Sequence, residues 1–378
     1  STDPEASDAY SRSTRVGALP APVLLATAQE NGYVDQLALL GDGAPDASTL
    51  DGGLKFIATR IVPRTRDGRA RGTAHWTPDV TFQCPVGAEP WGPWRILRGG
   101  CGGSEEAIIY MAAEMAKRGL NVQVYAPLDP TVHRGVHVQD GVRWWPMEAL
   151  YTQRKEVPGV VISCRAPFDV RLRQFFATDR LYVWHQDHQY HRGWDAAIAG
   201  AVRNLWVSKW QRKVLLDLVG IRVRDPDAFV DETGVVCGDA IPMSACEWKA
   251  EGLERRPHDC VYISSPTRGL NFLLSIWPRI IKSYPEARLH VYSGWQTAPT
   301  VAAMGLRSEV TAKIAALPSV HWHGRIEQRS LEEILPTYGV WLYPCAWHLD
   351  GEAYPEGFAI AGVRATAAGL VPVYPLAH

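Results

Sequence analysis

The chain lacks an excess of charge of either sign. Its 378 residues carry 39 Lys and Arg against 40 Asp and Glu, a net charge of -1. A protein that holds a polyphosphate backbone by electrostatics needs a basic surplus, so nucleic acid is excluded as an electrostatically driven partner. Long apolar runs are missing too. No stretch approaches the roughly 20 residues that cross a bilayer, and the Ser- and Asp-rich amino terminus lacks a basic-plus-apolar signal segment. A soluble, cytoplasmic protein is therefore expected. Finally, the seven cysteines, Cys84, Cys101, Cys164, Cys237, Cys246, Cys260 and Cys345, include no Cys-x-x-Cys pair and are odd in number. That excludes a disulfide framework and a zinc-ribbon type site, and leaves reduced thiols.

Glycine and proline, by contrast, are plentiful at 33 and 27 residues, and they punctuate a regular alternation of apolar strands and helical patterns. Strands are predicted at Thr81–Cys84, Val122–Tyr125, Gly159–Ser163, Leu181–Trp184 and Asn204–Val207. A second series follows at Val261–Ser264, Leu289–Tyr292, Val320–His323, Val340–Tyr343 and Val371–Tyr374. Such alternation implies parallel βα units. It predicts an α/β protein of two facing, doubly wound Rossmann-like domains, with ligand bound between them at the carboxyl ends of the strands. The boundaries are residues 76–250 and 251–378, preceded by an extension over residues 1–75 whose role the sequence does not give.

Three segments carry chemistry. The run from Glu356-Gly357-Phe358 to Gly369 follows a strand that ends at Pro344, and its apolar spacing predicts a helix over 358–368 that starts near Pro355 and Glu356. A helix start offers unpaired N–H groups and the positive end of the dipole to phosphate, and a carboxylate beside it accepts from hydroxyls. The plain alternative is an acid that only stabilises the helix. In the second segment, Gly99-Gly-Cys-Gly102-Gly103-Ser104-Glu105-Glu106, the two glycines let backbone approach a ligand, with Ser104 as the predicted N-cap of the next helix. The third, Ser264-Ser265-Pro-Thr-Arg268-Gly269, places a fixed guanidinium after a strand, where it can bind phosphate bidentately or simply sit on the surface.

These three segments resemble the retaining glycosyltransferases of the GT-B fold, the large family-four group. Glu356, Gly357, Phe358, Ala365, Ala367, Gly369, Pro372 and Val373 match its signature without a gap. The resemblance implies a nucleotide-diphospho-sugar donor, an acceptor hydroxyl on a glycan, glycoconjugate or protein, no metal and no separate cofactor. It assigns Arg268 to the diphosphate and Glu356 to the sugar. Gly102, Gly103, Ser264, Ser265, Gly294, Gly357 and Phe358 join the donor site, as does Arg325 of the Gly324-Arg325 loop. It also implies that a His or Asp after the Leu181–Trp184 strand touches sugar or acceptor. Asp187 and His185 both qualify. The neighbouring His188 and His191 invite a metal reading as well, but no other His or Cys completes a site. Trp91, Trp94 and Trp194 are candidates to stack on sugar rings, against the plainer role of core aromatics.

The chain departs from the pattern at three points. Arg364 stands where the family has a second Glu for the ribose, so either the nucleotide is held more weakly or Arg364 reaches a phosphate or an acidic neighbour. The weaker clamp is the expectation. The second basic residue of the Arg268 loop is missing, and the second domain looks short of the family's closing helices. These departures keep open a catalytically silent GT-B-like binding subunit, and the fold also allows a phosphorylase or a nucleotide-sugar epimerase. An oligomer is compatible with everything above.

Overall fold

A computed structural model describes residues 76–85, 89–129, 135–152, 157, 159–165, 180–187, 198–242, 254–295, 301–345 and 356–375. All belong to one compact unit, Leu54–His378. The extension over residues 1–75 lies outside the described residues, as do His188, His191, Trp194 and Cys246.

The described residues form two sheets. The first runs in the order β3-β4-β2-β1-β5-β6-β7-β9-β8. Its strands are β1 Val80–Gln83, β2 Val122–Ala126, β3 His137–Gln139, β4 Val142–Pro146, β5 Val160–Cys164, β6 Leu181–His185, β7 Arg203–Trp206, β8 Val230–Asp231 and β9 Gly234–Val236. Every described pairing is parallel except β3 with β4 and β8 with β9 at the two edges. The interior strands β1, β2 and β5 are buried at every position, as a parallel sheet covered on both faces requires. Helices α1 Gly103–Lys117, α2 Met147–Thr152 and α3 Lys209–Leu218 supply cover.

The second sheet, β12-β11-β10-β13-β14, is parallel throughout. It contains β10 Arg256–Tyr262, β11 Arg288–Val291, β12 Val320–Trp322, β13 Tyr338–Leu342 and β14 Val371–Val373, with α4 Leu270–Ser283, α5 Val301–Ala315, α6 Gln328–Ile334 and α7 Ile360–Ala367 between them. On α4, Leu270, Leu273, Leu274 and Trp277 are buried at helical spacing, and they form one core with Tyr262, Val291 and Trp341. No helix among the described residues is long and apolar enough to cross a membrane.

Strand order places the ligand crevice. In the first sheet the chain leaves β1 toward β2 and returns on the other side at β5; in the second it leaves β10 toward β11 and returns at β13. At these switch points the connecting helices diverge, so a cleft opens at the carboxyl ends of β1 and β5 and of β10 and β13. The loops there are the glycine loop, Arg165, the Ser264–Gly269 loop and Tyr343.

Two boundaries differ from expectation. Helix α1 is capped by Gly102, with Ser104 inside its first turn and no side-chain cap. Helix α7 begins at Ile360 with Ala359 as its N-cap, so Glu356 precedes the cap and lies outside the first turn. The strands β3, β4, β8 and β9 were also not anticipated. All lie at or near the sheet edges; β3, β8 and β9 are only two or three residues long, and β4 is broken by Arg143, two tryptophans and a closing Pro146, so the apolar period leaves little trace in them.

Candidate functional site

The described loops at the two switch points enclose a cavity of about 420 Å³. Among the described residues, every catalytic and donor-site residue expected from the sequence lines it except His185, and of the candidate stacking tryptophans Trp91 lines it while Trp94 does not.

Glu356 and Arg268 meet there. Arg268 Nη1 donates to Glu356 Oε2 at 2.9 Å, and the Tyr343 hydroxyl donates to the same oxygen at 2.5 Å. The pair is half-buried, with side chains 27% and 22% exposed. Local chemistry fixes the loop that carries Arg268. The Tyr262 hydroxyl bridges the carbonyls of Ser265 and Arg268 at 2.6 and 3.0 Å. Gly269 then turns the chain at φ +82, where a Cβ would lie 1.9 Å from the Pro344 carbonyl oxygen. Only glycine tolerates both that φ and that approach, so the loop after β10 is seated directly on the loop after β13. Ser293 Oγ donates to the Ser264 carbonyl at 2.5 Å, which ties in the loop that contains Gly294.

Arg364 is different. Only 4% exposed, it forms a buried ion pair with Glu106 of α1, and its Nε donates to Glu332 of α6 at 3.3 Å. Of the alternatives open for Arg364, the structure shows the acidic neighbour, alongside the expected loss of the family's ribose carboxylate. The reason is that Glu106, in the first turn of α1 and 3% exposed, is a buried anion that needs a cation.

On the first-sheet side, Arg165 follows β5 at φ +67 and joins Glu105 to Asp187. Its Nε and Nη2 reach the two Asp187 oxygens at 3.3 Å each. The Asp187 carbonyl accepts from Gln211 Nε2 at 2.9 Å, so backbone and side chain are both held. His185 faces the core instead. It is 2% exposed, stacked on Trp206 at 4.2 Å, with Nε2 3.0 Å from Asn204 Oδ1. Burial lowers its pKa to about 4, against the opposing bond to Asn204. A neutral ring with that partner is part of the sheet.

Asp239, at the carboxyl end of β9, is 7% exposed and lines the cavity. Gln186 Nε2 donates to its Oδ1 at 2.8 Å. Burial pushes its carboxyl up to about 7; the Gln186 bond pulls the other way, and Glu356 and Glu106 add to the rise. At the outer margin Glu89 pairs with Arg95 and accepts from Arg325 Nη1 at 3.1 Å. Gly99 and Gly294 flank the Arg325 stem, where added Cβ atoms would sit 3.3 and 3.2 Å from it. The N-termini of α1 and α7 touch, a Cβ on Gly103 lying 3.2 Å from Ile360 Cδ1. Cys101 also lines the cavity, but burial, Glu106 and Glu105 raise its pKa well above the usual thiol range, which disfavours the thiolate. Trp91 is buried edge-on against Trp144 at 6.2 Å, and Trp94 stands edge-on to His137 at 6.4 Å.

Similar solved structures decide the fold. The glycosyltransferase AviGT4 of avilamycin A biosynthesis superposes with a TM-score of 0.52 at 14% identity, covering 79% of each chain. The fold is GT-B. A sucrose-phosphate synthase from Thermosynechococcus elongatus has a TM-score of 0.55 at 12% identity, covering 78% of this chain and 80% of its own. An E. coli trehalose-6-phosphate protein bound with UDP-2-fluoro glucose gives 0.52 at 9% identity, with 78% and 83% covered. No family model and no curated protein sequence matches the chain. In the GT-B frame the cavity occupies the cleft between the two sheets.

Sequence reasoning had not singled out Arg165, Asp239, Glu89 or Tyr343. Arg165 and Tyr343 do carry a signal, since Tyr343 ends a predicted strand and Arg165 stands two residues after another, both on the cleft side. Asp239 follows a strand the pattern did not reveal, and Glu89 pairs across more than 200 residues of sequence with Arg325.

Proposed function

We propose that this protein is a retaining glycosyltransferase that moves a sugar from a nucleotide-diphospho donor to an acceptor hydroxyl, with neither a metal nor a further cofactor. The observation that carries the reading is the Arg268–Glu356 pair at the second sheet's switch point, half-exposed to the cavity. Support also comes from the GT-B fold, shared with proteins named as glycosyltransferases and with one bound to UDP-2-fluoro glucose.

The chemistry follows from the residues. Donor binding exchanges the Arg268–Glu356 contact for two others: the guanidinium turns to the diphosphate, and the Glu356 carboxylate accepts from sugar hydroxyls. The glycosidic bond to the diphosphate then breaks, its electron pair leaving with the phosphate oxygen. Positive charge develops on the anomeric carbon. Arg268 and the backbone amides around Gly102 and Gly103 stabilise the departing charge, a preorganised electrostatic role. The acceptor hydroxyl attacks from the vacated face and its proton passes to a phosphate oxygen, so configuration is retained and no side-chain base is needed. Asp187, held by Arg165, orients the acceptor or the transferred sugar.

Incubation with a panel of nucleotide sugars and acceptors should release free nucleoside diphosphate with one donor, in the presence of EDTA, and NMR of the product should show the donor's anomeric configuration. Absence of release with every donor would leave the silent-subunit reading in its place.

A further inference from the structure

The cavity balances its charges closely. Five arginines line it, Arg95, Arg165, Arg268, Arg325 and Arg364, against six carboxyls, Glu89, Glu105, Glu106, Asp187, Asp239 and Glu356. The other five carboxylates are each paired with one of these arginines, but Asp239 is paired with none. Its side-chain partner is the neutral amide of Gln186. From the elements packed around it, Glu356 on the loop before α7 and Glu106 on α1 face it with negative charge, while Cys237 beside it and Cys164 on β5 contribute thiols kept neutral by burial. The cations within the cavity are engaged elsewhere: Arg268 with Glu356, Arg165 with Glu105 and Asp187, and Arg364 with Glu106 and Glu332. The Asp239 backbone is positioned too. Gly238, at φ +63, seats the chain beside the Glu356–Phe358 loop, where an added Cβ would be in van der Waals contact with the Phe358 ring at 3.4 Å.

Resting on the donor reading above, we propose that Asp239 is a donor-binding residue that acts as a neutral carboxylic acid: its O–H donates into the cavity to the bound diphospho-sugar, and an ionised Asp239 opposes binding. The argument is electrostatic. Burying an anion without a cation is costly, and a diphosphate placed in the same enclosed space adds like charge to the set that already disfavours ionisation. With Arg268 turned toward the diphosphate, Glu356 also loses a neutralising partner. Donor binding then carries one proton from solvent onto Asp239 whenever that group starts ionised. The ligand-free carboxyl, pushed up to about 7, supports a transition at physiological pH.

Calorimetric titration of the full chain with UDP, ADP and GDP between pH 6 and 8.5, in buffers of different ionisation enthalpy, tests this. For the diphosphate that binds, the Kd should weaken by up to about tenfold per pH unit above the midpoint, the limit for a single linked proton. At pH 8.5, where the free nucleotide's own phosphate is fully ionised, close to one proton should be taken up per ligand bound. Asp239→Asn, a neutral isostere, should abolish the uptake and bind more tightly than the wild type at pH 8.5. No proton uptake by the wild type, or an undiminished pH slope in Asp239→Asn, overturns the proposal while leaving the glycosyltransferase reading intact. Failure of all three nucleotides to bind at any pH sinks the donor reading and this linkage with it. If Asp239→Asn does not fold, the wild-type proton count decides alone.

Discussion

Arg268 and Arg364 both border the cavity from the second-sheet half, and both are paired with a glutamate, yet they do opposite things. Arg268 and Glu356 keep 27% and 22% of their side-chain surface exposed, so their contact can open when a ligand brings better partners for each. Arg364 and Glu106 keep 4% each, and Glu332 closes the third side. A half-solvated pair costs little to separate, whereas opening a buried one strands uncompensated charge. Burial thus separates a group available to substrate from one that holds the cleft together. Because Glu106 belongs to α1 and Arg364 to α7, the buried pair joins the glycine-loop helix to the signature helix.

The largest expected effect breaks the buried member of this comparison. Arg364→Glu places a third carboxylate beside Glu106 and Glu332, and should destabilise the protein by about 3–5 kcal/mol, the range for removing one partner of a buried pair, with repulsion added. Nucleotide binding should weaken with it. Thermal denaturation reads the outcome; a folded Arg364→Glu protein with tighter nucleotide binding would revive the missing ribose clamp and undo the assignment of Arg364 to Glu106. Arg364→Met with Glu106→Gln should recover much of the loss.

Removing the exposed member should spare the fold. Arg268→Ala is expected to melt near the wild-type temperature while turnover falls by roughly two to three orders of magnitude, the scale of one lost preorganised transition-state contact. Unchanged turnover would show that Arg268 stays with Glu356 throughout the cycle.

The difference between the two arginines was only half legible in the sequence. Arg268, Ser264 and Gly269 followed a recognisable strand, and Glu356 opened a motif whose helix period is strong, so local pattern placed them correctly at the carboxyl ends of strands. The central β1, β2 and β5 were legible because apolar runs buried on both faces leave no ambiguity of period, and in the second sheet β11 and the carboxyl-terminal half of β10 share that burial while β14, exposed at every position, was legible from its apolar residue types alone. Burial and pairing of Arg364 were not legible, because Glu106 lies 258 residues away and a charged residue in a helix pattern reads as solvent-facing. Asp239 was hidden by the weakness of β9, three residues beginning with glycine. The helix start was misplaced by several residues, since Glu356-Gly-Phe carries start signals that the backbone does not take up until Ile360.

Sharpening the comparison from the carboxylate side, Glu356→Gln retains a hydrogen-bond acceptor but loses the charge that Arg268 and the sugar hydroxyls share. Transfer should fall by about tenfold to a hundredfold, the worth of a charge-assisted hydrogen bond. Nucleoside diphosphate affinity should stay nearly constant, because Arg268 remains to meet the phosphates. Equal losses in both measurements would mean that Glu356 serves the loop and not the sugar.

The smallest effect separates Asp187 from His185, the two candidates that follow β6. Asp187 sits on the cavity in the grip of Arg165, and Asp187→Asn should lower transfer. His185 is buried and neutral, with a pKa near 4 against 6.5 for an unperturbed ring. The unfolded chain therefore binds a proton below about pH 6.5 that the folded chain refuses until about pH 4. Stability is full above the unfolded value and is lost as pH falls through that window, by about 1 kcal/mol at pH 5.5. Chemical denaturation at pH 7.5 and 5.5 should show this decline in the wild type and a smaller one in His185→Gln, whose amide can still donate to Asn204. An identical decline in both proteins would assign the acid sensitivity to another buried group and leave His185 without a measurable part in either stability or transfer.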